Sequence, residues 1–322
     1  MRALICGASG QDGSYLAQLL LGKGYEVVGT SRDAQTASFS NHVKLGIASQ
    51  LKRESMATHD FRSVLQVLRR VQPDEIYNLS GQSSVGLSFE QPVETLDSNI
   101  VGTLNLLEGI RFLGRPVRFY SAGSGECFGD AAAAAGADES TPFRPRSPYA
   151  VAKAASFWLV ANYRAAYQLH ACTGILFNHE SPLRPERFVT RKVVAAACRI
   201  ARGSRERLEL GDLSVRRDWG WAPEYVDAMW RMLQRPQAED YVIATGATHA
   251  LQDFVRLAFA ELKLNWRDHT TFNDQLRRPS DIADGRGDAG KAARDLNWTA
   301  QRRMPEVVAA MVAAELALQT SR

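Results

Sequence analysis

The chain has 322 residues, of which 45% are hydrophobic and 23% are charged, and its formal net charge is +4. This composition is too apolar for a disordered chain, and no apolar run approaches the roughly eighteen residues of a membrane-spanning helix. Its lysines and arginines are spread along the chain without interleaved aromatic residues, so the sequence does not indicate a nucleic-acid partner. The first six residues predict a strand and not a signal peptide, and we therefore expect a cytoplasmic enzyme.

The four cysteines are far apart in the sequence and lack the CxxC or Cys/His spacing of a zinc site. We expect them to be reduced and structural, and we expect no metal. They are Cys6, Cys127, Cys172 and Cys198.

A strand, a glycine-rich turn and an amphipathic helix open the chain. Residues 3–6 are apolar, the turn has the spacing GxxGxxG, and the helix is predicted over residues 14–24 with a glycine at its end. Glycines between a strand and a helix allow backbone N–H groups to meet a pyrophosphate, which predicts dinucleotide binding. The residues expected to contact the cofactor here are Gly7, Gly10, Gln11, Asp12 and Gly13.

The end of the next predicted strand bears on the choice between NADP and NAD. Arg32 follows that strand directly and suits a 2′-phosphate, whereas Asp33 lies about twenty residues past the last glycine, where an acid would bind a ribose hydroxyl. We favour NADP because Arg32 comes first. NAD stays open, as does the alternative that both residues are solvated loop charges.

Strands and helices then alternate through the first half of the chain. Residues 34–52 are polar and weakly patterned, but residues 73–82 and 117–121 read as strands, with helices around residues 64–68 and 101–111. The order predicts an α/β fold with a Rossmann-like, doubly wound parallel sheet. The first of these two strands, residues 73–82, ends in small residues, so we expect Leu79 and Gly81 to lie against the cofactor. We place the dinucleotide domain at residues 1–175, with some later segments returning to it, and a smaller mixed α/β substrate domain at residues 176–322.

Tyr149 and Lys153 are spaced to lie on one face of a helix that starts at Pro148. A nearby ammonium favours the phenolate, so the tyrosine could act as a general base near neutral pH. Ser124 and Glu126 follow the strand at residues 117–121, at the sheet edge where reactive groups gather. Taken alone, each pattern also fits a surface pair or a turn with a capping serine. Together, downstream of a dinucleotide turn, they favour hydride transfer at an alcohol.

These motifs resemble the extended short-chain dehydrogenases that act on nucleotide sugars, and more narrowly the GDP-mannose 4,6-dehydratases. The resemblance covers most of the chain and rests on residues 10–16, 75–79, 81–83, 141–153, 174–182, 188–192 and 217–220. Residues 178–182 (NHESP) and 217–220 (RDWG) are specific to that subgroup. The family carries a second arginine where this chain has Asp33, and an acidic residue near the adenine where it has Ala57.

The resemblance implies a reaction and a role for each residue. Ser124, Tyr149 and Lys153 would activate the sugar hydroxyl, and Glu126 would act at C5 and C6. Asn178 and Lys192 would contact the nucleotide sugar, while Arg217 and Arg278 would hold its diphosphate, although composition alone also permits surface arginines. The product would be GDP-4-keto-6-deoxy-D-mannose, made with tightly held NADP by a homodimer or homotetramer.

Three alternatives stay open. A related epimerase or 4-keto reductase would use the tyrosine and lysine but would need no acid at Glu126. A dehydratase of another GDP-sugar, such as a heptose, could share the pocket. A non-catalytic nucleotide-binding regulator is disfavoured, because Ser124, Glu126, Tyr149 and Lys153 are all present.

Overall fold

A parallel sheet of seven strands forms the centre of the protein, in a computed structural model that describes residues 1–132 and 136–320. The strand order is β11-β6-β5-β4-β1-β2-β3. Those strands are β1 (Arg2–Cys6), β2 (Glu26–Ser31), β3 (Lys52–Ser55), β4 (Glu75–Asn78), β5 (Arg118–Ala122), β6 (Ala171–Leu176) and β11 (Tyr241–Ile243). The order reverses between β1 and β4, which is where such folds bind ligands. The predicted doubly wound sheet is confirmed.

Successive side chains of each strand point to opposite faces of the sheet, so both faces carry a buried apolar core. On β1, Ala3 and Ile5 face one cluster and Leu4 and Cys6 face the other, and all four are fully buried. The first face is covered by α1 (Gln11–Gly22) and α9 (Ala222–Gln234), with α12 (Gly290–Leu296) at its edge. The opposite face is covered by α3 (Phe61–Val71), α6 (Gly102–Leu113) and α7 (Pro148–Tyr167).

The remaining helices of the first half are short. They are α2 (Ser40–Lys44), α4 (Val85–Glu90) and α5 (Pro92–Leu96), with a π-helical turn at Asp97–Val101 and a 3₁₀ segment at Gly125–Ala132. The sequence predicted α1 from residue 14, but the helix starts three residues earlier, inside the glycine-rich motif. The polar residues 34–52 contain α2 and lead into β3, neither of which was predicted.

A second lobe packs around its own apolar cluster. Its helices are α8 (Val189–Ala201), α10 (Leu251–Ala260), α11 (Trp266–His269) and α13 (Met304–Thr320), with a 3₁₀ turn at Asp274–Leu276. Its small sheets are formed by β7 (Asn178–Glu180) with β10 (Trp219–Trp221), β8 (Leu208–Leu210) with β13 (Thr270–Phe272), and β9 (Arg216–Arg217) with β12 (His249–Ala250) and β14 (Asp284–Gly285). The boundary at residue 175 stays a prediction, and α9 and β11, which come later in the chain, pack with the main sheet.

Candidate active site

The glycine-rich turn joins β1 to α1 and lies close against the end of β4. Gly7 has a φ of +79°, and a Cβ at this position would lie 2.7 Å from the carbonyl oxygen of Leu79. A Cβ at Gly13 would lie 2.4 Å from the carbonyl oxygen of Gly7. Gly81, with a φ of +111°, similarly leaves no room for a side chain beside Asn99. Because these three glycines carry no side chains, the backbone of the turn and of the segment after β4 stays accessible to a ligand, as dinucleotide binding requires.

Gln11 and Asp12 connect this turn to the second lobe. The Gln11 amide donates to the carbonyl oxygen of His179 at 3.2 Å and accepts from the Ser181 hydroxyl at 2.8 Å. The Asp12 carboxylate lies 2.8 Å from Nε2 of His179. Both side chains were predicted to contact the cofactor, and both also line the cavity described below. In this structure their polar groups hold β7 in place beside the turn.

The predicted pair Tyr149 and Lys153 lies on the first turns of α7. Ser147 caps that helix by accepting from the Ala150 backbone N–H, and Pro148 takes the first helical position. The Lys153 ammonium donates to the carbonyl oxygen of Ala122 at 2.9 Å. Because Ala122 ends β5, this contact fixes the helix to the sheet edge that carries Ser124 and Glu126.

Ser124 and Tyr149 line the same cavity, and Glu126 lies beside Ser124 at the start of the 3₁₀ segment. The Glu126 backbone N–H donates to the Ser124 hydroxyl at 3.3 Å. The serine hydroxyl, the phenol and the carboxylate therefore gather at the carboxyl end of β5, as the sequence predicted for reactive groups.

Burial changes the ionisation of the pair. It raises the pKa of the Tyr149 phenol above its usual value, even though the Ser124 hydroxyl works in the opposite direction. It lowers the pKa of the Lys153 ammonium to about 8. The sequence argument expected the lysine to favour the phenolate, and this expectation is wrong for the structure as it stands. The Lys153 Nζ lies 5.8 Å from the centre of the tyrosine ring and points to Ala122, so desolvation outweighs its charge.

Arg217 faces Glu126 across the cavity. Its Nε lies 3.6 Å from Oε1 of Glu126, and its Nη2 donates to Asp281 at 2.6 Å. Arg278 lies 3.2 Å from the same Asp281 oxygen. Arg217 is buried, which excludes the alternative of an ordinary surface arginine, whereas Arg278 is about one-third exposed.

The two residues expected at the sugar nucleotide lie on separate elements. Asn178 starts β7 and is paired in register with Trp219. Lys192 lies in the first turns of α8, and its ammonium donates to the carbonyl oxygen of Glu209 at 2.8 Å.

Arg32 and Asp33 point in different directions. Arg32 lies beside the cavity and forms an ion pair with Glu94 at 2.9 Å. The Asp33 carboxylate accepts from Thr36 and Gln35 within its own loop, and the Thr36 hydrogen bond in particular lowers its pKa. Of these two neighbours, Arg32 lines the cavity and Asp33 does not.

A single cavity of about 970 Å³ brings all of the predicted site residues together. They are Gly7, Gly10, Gln11, Asp12, Gly13, Arg32, Leu79, Gly81, Ser124, Glu126, Tyr149, Lys153, Asn178, Lys192, Arg217 and Arg278. Glu94, His179 and Asp281 are among the further lining residues that were not assigned a site role from the sequence. His179 lies within the motif at residues 174–182 and Asp281 lies three residues after Arg278, whereas no local signal marks Glu94.

Over residues 1–132 and 136–320, we find no cluster of three His, Cys, Asp or Glu side chains placed to hold a metal ion. All four cysteines are buried and unpaired. Within the same described residues, every helix is too short or too polar to cross a membrane.

Comparisons with known proteins agree with this geometry. The family model described as GDP-mannose 4,6 dehydratase matches residues 4–311. GDP-mannose 4,6 dehydratase 2 of Arabidopsis thaliana is 44% identical over 327 aligned residues, which cover 98% of this chain and 87% of the relative.

Two solved structures share the fold at lower identity. The UDP-glucose 4-epimerase of Thermus thermophilus, solved with NAD, has a TM-score of 0.86 at 24% identity, covering 98% of this chain and 99% of its own. The RMD protein of Pseudomonas aeruginosa, solved with NADPH, has a TM-score of 0.82 at 22% identity, covering 98% and 99%. The family model and the plant relative both extend over nearly the whole chain, and the chain therefore belongs to the GDP-mannose 4,6-dehydratase family.

Proposed function

We propose that this protein is a hydro-lyase that converts GDP-D-mannose to GDP-4-keto-6-deoxy-D-mannose. The observation that carries the proposal is the position of Glu126, whose carboxylate shares one cavity with Ser124 and Tyr149. Oxidation and reduction at C4 need only the tyrosine, serine and lysine. Loss of water across C5 and C6 also needs an acid–base group, and Glu126 supplies one at the same sheet edge.

The cavity fits a nicotinamide dinucleotide, and we propose NADP. The positions of Gly7, Gly13 and Gly81, where a Cβ would collide with backbone or with Asn99, leave a wall of exposed main chain at the switch point of the sheet. Arg32 supplies a guanidinium at the cavity for a 2′-phosphate. When bound, the nicotinamide would accept hydride from C4 and return it to C6, so that the reaction has no net redox change.

Tyr149 is the proposed base for the O4 proton. Its phenol is buried and lines the same cavity as Ser124, so we propose that both groups contact one sugar hydroxyl. Lys153 is held by the Ala122 carbonyl with its Nζ 5.8 Å from the centre of the Tyr149 ring, and its charge is proposed to offset part of the negative charge that forms on the phenol.

Glu126 is the proposed base at C5 and acid at C6. A ketone at C4 acidifies the C5 proton, and the carboxylate takes it and passes it to the leaving C6 hydroxyl, so that water departs. Reduction at C6 is completed by a proton at C5, which the Glu126 carboxyl would return after it has been protonated again from solvent. The Arg217 guanidinium lies 3.6 Å from this carboxylate and holds it at the cavity.

Substrate binding is assigned to the second lobe. We propose that Arg217 and Arg278, joined through Asp281, bind the diphosphate, because paired guanidinium groups suit its oxygens. Asn178 and Lys192 are placed along the same cavity to contact the rest of the nucleotide sugar.

We also propose a cytoplasmic homo-oligomer, either a dimer or a tetramer. The cysteines are all unpaired, as in a reducing compartment. Val151 and Trp158 on α7 and Val93 on α5 expose apolar side chains, with Trp158 63% exposed. Light scattering of the purified protein would measure the oligomeric state.

Product analysis tests the reaction. The purified enzyme is incubated with GDP-mannose, and the expected product has lost one water and carries a ketone at C4 and a methyl group at C5, as seen by mass spectrometry and NMR. An epimerised sugar without water loss, or net oxidation of NADPH with a 4-keto sugar, would replace the proposal with an epimerase or a reductase. A GDP-heptose offered in parallel tests the breadth of the sugar pocket.

A further inference from the structure

Arg32 and Glu94 form an ion pair at the edge of the cavity. Arg32 follows the end of β2, Glu94 lies on α5, and Nη2 of the arginine is 2.9 Å from Oε1 of the glutamate. Both residues line the cavity, and their side chains are 71% and 50% exposed. The pair is therefore accessible both to solvent and to a ligand that enters this end of the cavity.

The charge opposite Arg32 comes from Glu94 and not from its sequence neighbour. Asp33 accepts from the Thr36 hydroxyl at 2.7 Å and from the Gln35 N–H at 2.9 Å, so its carboxylate is bound within the loop. Glu94 is 62 residues further along the chain, and the fold brings it to Arg32.

A phosphate that binds Arg32 must meet the Glu94 carboxylate as well. A 2′-phosphate carries up to two negative charges at neutral pH, and bringing them beside a carboxylate is unfavourable unless the ion pair is broken. A ribose with a free 2′-hydroxyl brings no such charge and leaves the ion pair intact. Glu94 therefore opposes one of the two dinucleotides and is neutral toward the other.

We propose that Glu94 is a specificity-determining residue that competes with the 2′-phosphate of NADP for Arg32 and so brings the affinities for NADP and NAD close together. The proposal rests on the proposed function only in assuming that the cavity binds a nicotinamide dinucleotide. It does not depend on which sugar reacts.

Direct binding tests the proposal without turnover. Calorimetric titrations with NADP⁺ and with NAD⁺ are run on the parent and on Glu94→Gln, which removes the charge at a half-exposed position. The matched control is Glu239→Gln, which removes the charge of a surface ion pair with Lys291 (2.7 Å) away from the cavity. We expect Glu94→Gln to bind NADP⁺ about three- to tenfold more tightly, the scale of an exposed ion pair, and to bind NAD⁺ as the parent does.

Added salt should bring the NADP⁺ affinities of the parent and of Glu94→Gln closer together, because exposed charges are screened. The proposal is overturned if Glu94→Gln leaves the NADP⁺ affinity unchanged, if both dinucleotides shift alike, or if Glu239→Gln gives the same shift. A parent that binds neither dinucleotide would overturn both this inference and the cofactor assignment. If the titrations follow the expectation but GDP-mannose is not dehydrated, the proposed reaction fails and this inference stands.

Discussion

His179 and Asp12 are 167 residues apart in the chain, yet Nε2 of the histidine lies 2.8 Å from Oδ2 of the aspartate. The other histidine nitrogen, Nδ1, lies 2.8 Å from the carbonyl oxygen of Phe177, and the ring stacks on Tyr225. The pair joins the first turn of α1, at the cofactor end of the cavity, to β7, which carries the proposed substrate residue Asn178. It therefore couples the two halves of the site mechanically.

We expect Asp12→Asn to destabilise the protein most at mildly acidic pH. Burial works against both charges, but the mutual attraction of the partners outweighs it, so the pKa of Asp12 is below its usual 3.8 and that of His179 is above its usual 6.5. The stabilisation from Asp12 is lost as pH falls through its lowered pKa, and that from His179 is lost as pH rises through its raised pKa. Both charges therefore contribute fully to stability between pH values of 3.8 and 6.5. Loss of the pair in this range should lower the free energy of unfolding by about 1–3 kcal/mol.

Thermal melts across the pH range check this expectation. The difference in Tm between the parent and Asp12→Asn should be larger at pH 5.5 than at pH 9. A difference that grows steadily toward alkaline pH would contradict a charged His179.

Four of the seven strands of the sheet and the proposed catalytic groups could be predicted from the sequence because their signals are local. GxxGxxG lies between an apolar run and a helix, and Tyr149 and Lys153 are one helical turn apart. The strand β3 was missed because it is an edge strand of charged and polar residues, Lys52–Ser55, paired on one side only. The helix α2 is only five residues long, and its Asn41 and His42 side chains bond to carbonyl oxygens of the glycine-rich turn, which is a tertiary effect.

The contrast between local signals and tertiary contacts also separates the predicted parts of the site from the missed ones. Every residue chosen from a motif lines the cavity, but the partners that hold those residues could not be read from spacing. Glu94 meets Arg32 only through the fold, and Asp281 binds Arg217 across 64 positions. The pKa of Tyr149 was misjudged for a similar reason, since burial cannot be read from the spacing of two residues.

Tyr149→Phe should abolish turnover and leave the fold intact. The variant loses one oxygen from a buried ring on α7 and cannot take the O4 proton. We expect a loss in kcat of at least about a hundredfold. Steady-state kinetics measures the loss in kcat, and a circular dichroism melt measures whether the fold is intact. Turnover close to that of the parent would show that Tyr149 is not the base.

Lys153→Met should lose activity, and the difference in stability between this variant and the parent should change with pH. Burial lowers the pKa of Lys153 from its ordinary 10.5 to about 8, so the charged lysine destabilises the folded state, and this penalty disappears as pH rises from about 8 to 10.5. Relative to the parent, the variant should therefore be most stable near pH 7 and less so near pH 10. The difference in denaturant midpoint at the two pH values tests the sign, and an unchanged difference would show that the lysine is not desolvated.

Arg32→Ala should weaken NADP binding far more than NAD binding. The guanidinium lies at the cavity, and only NADP has a phosphate for it to bind. Titration of both dinucleotides against the variant gives the two dissociation constants. Equal losses for the two would mean that Arg32 does not contact the phosphate.

The central claim is that Glu126 moves the C5 proton, and solvent isotope incorporation tests it most directly. GDP-mannose is converted in deuterium oxide by the parent and by Glu126→Gln, and the products are analysed by NMR. The parent should place solvent deuterium at C5, because a carboxyl group exchanges its proton with water, while the variant should dehydrate GDP-mannose about a hundredfold or more slowly than the parent. A variant that dehydrates GDP-mannose as fast as the parent, or a parent product that keeps its original hydrogen at C5, would contradict the account.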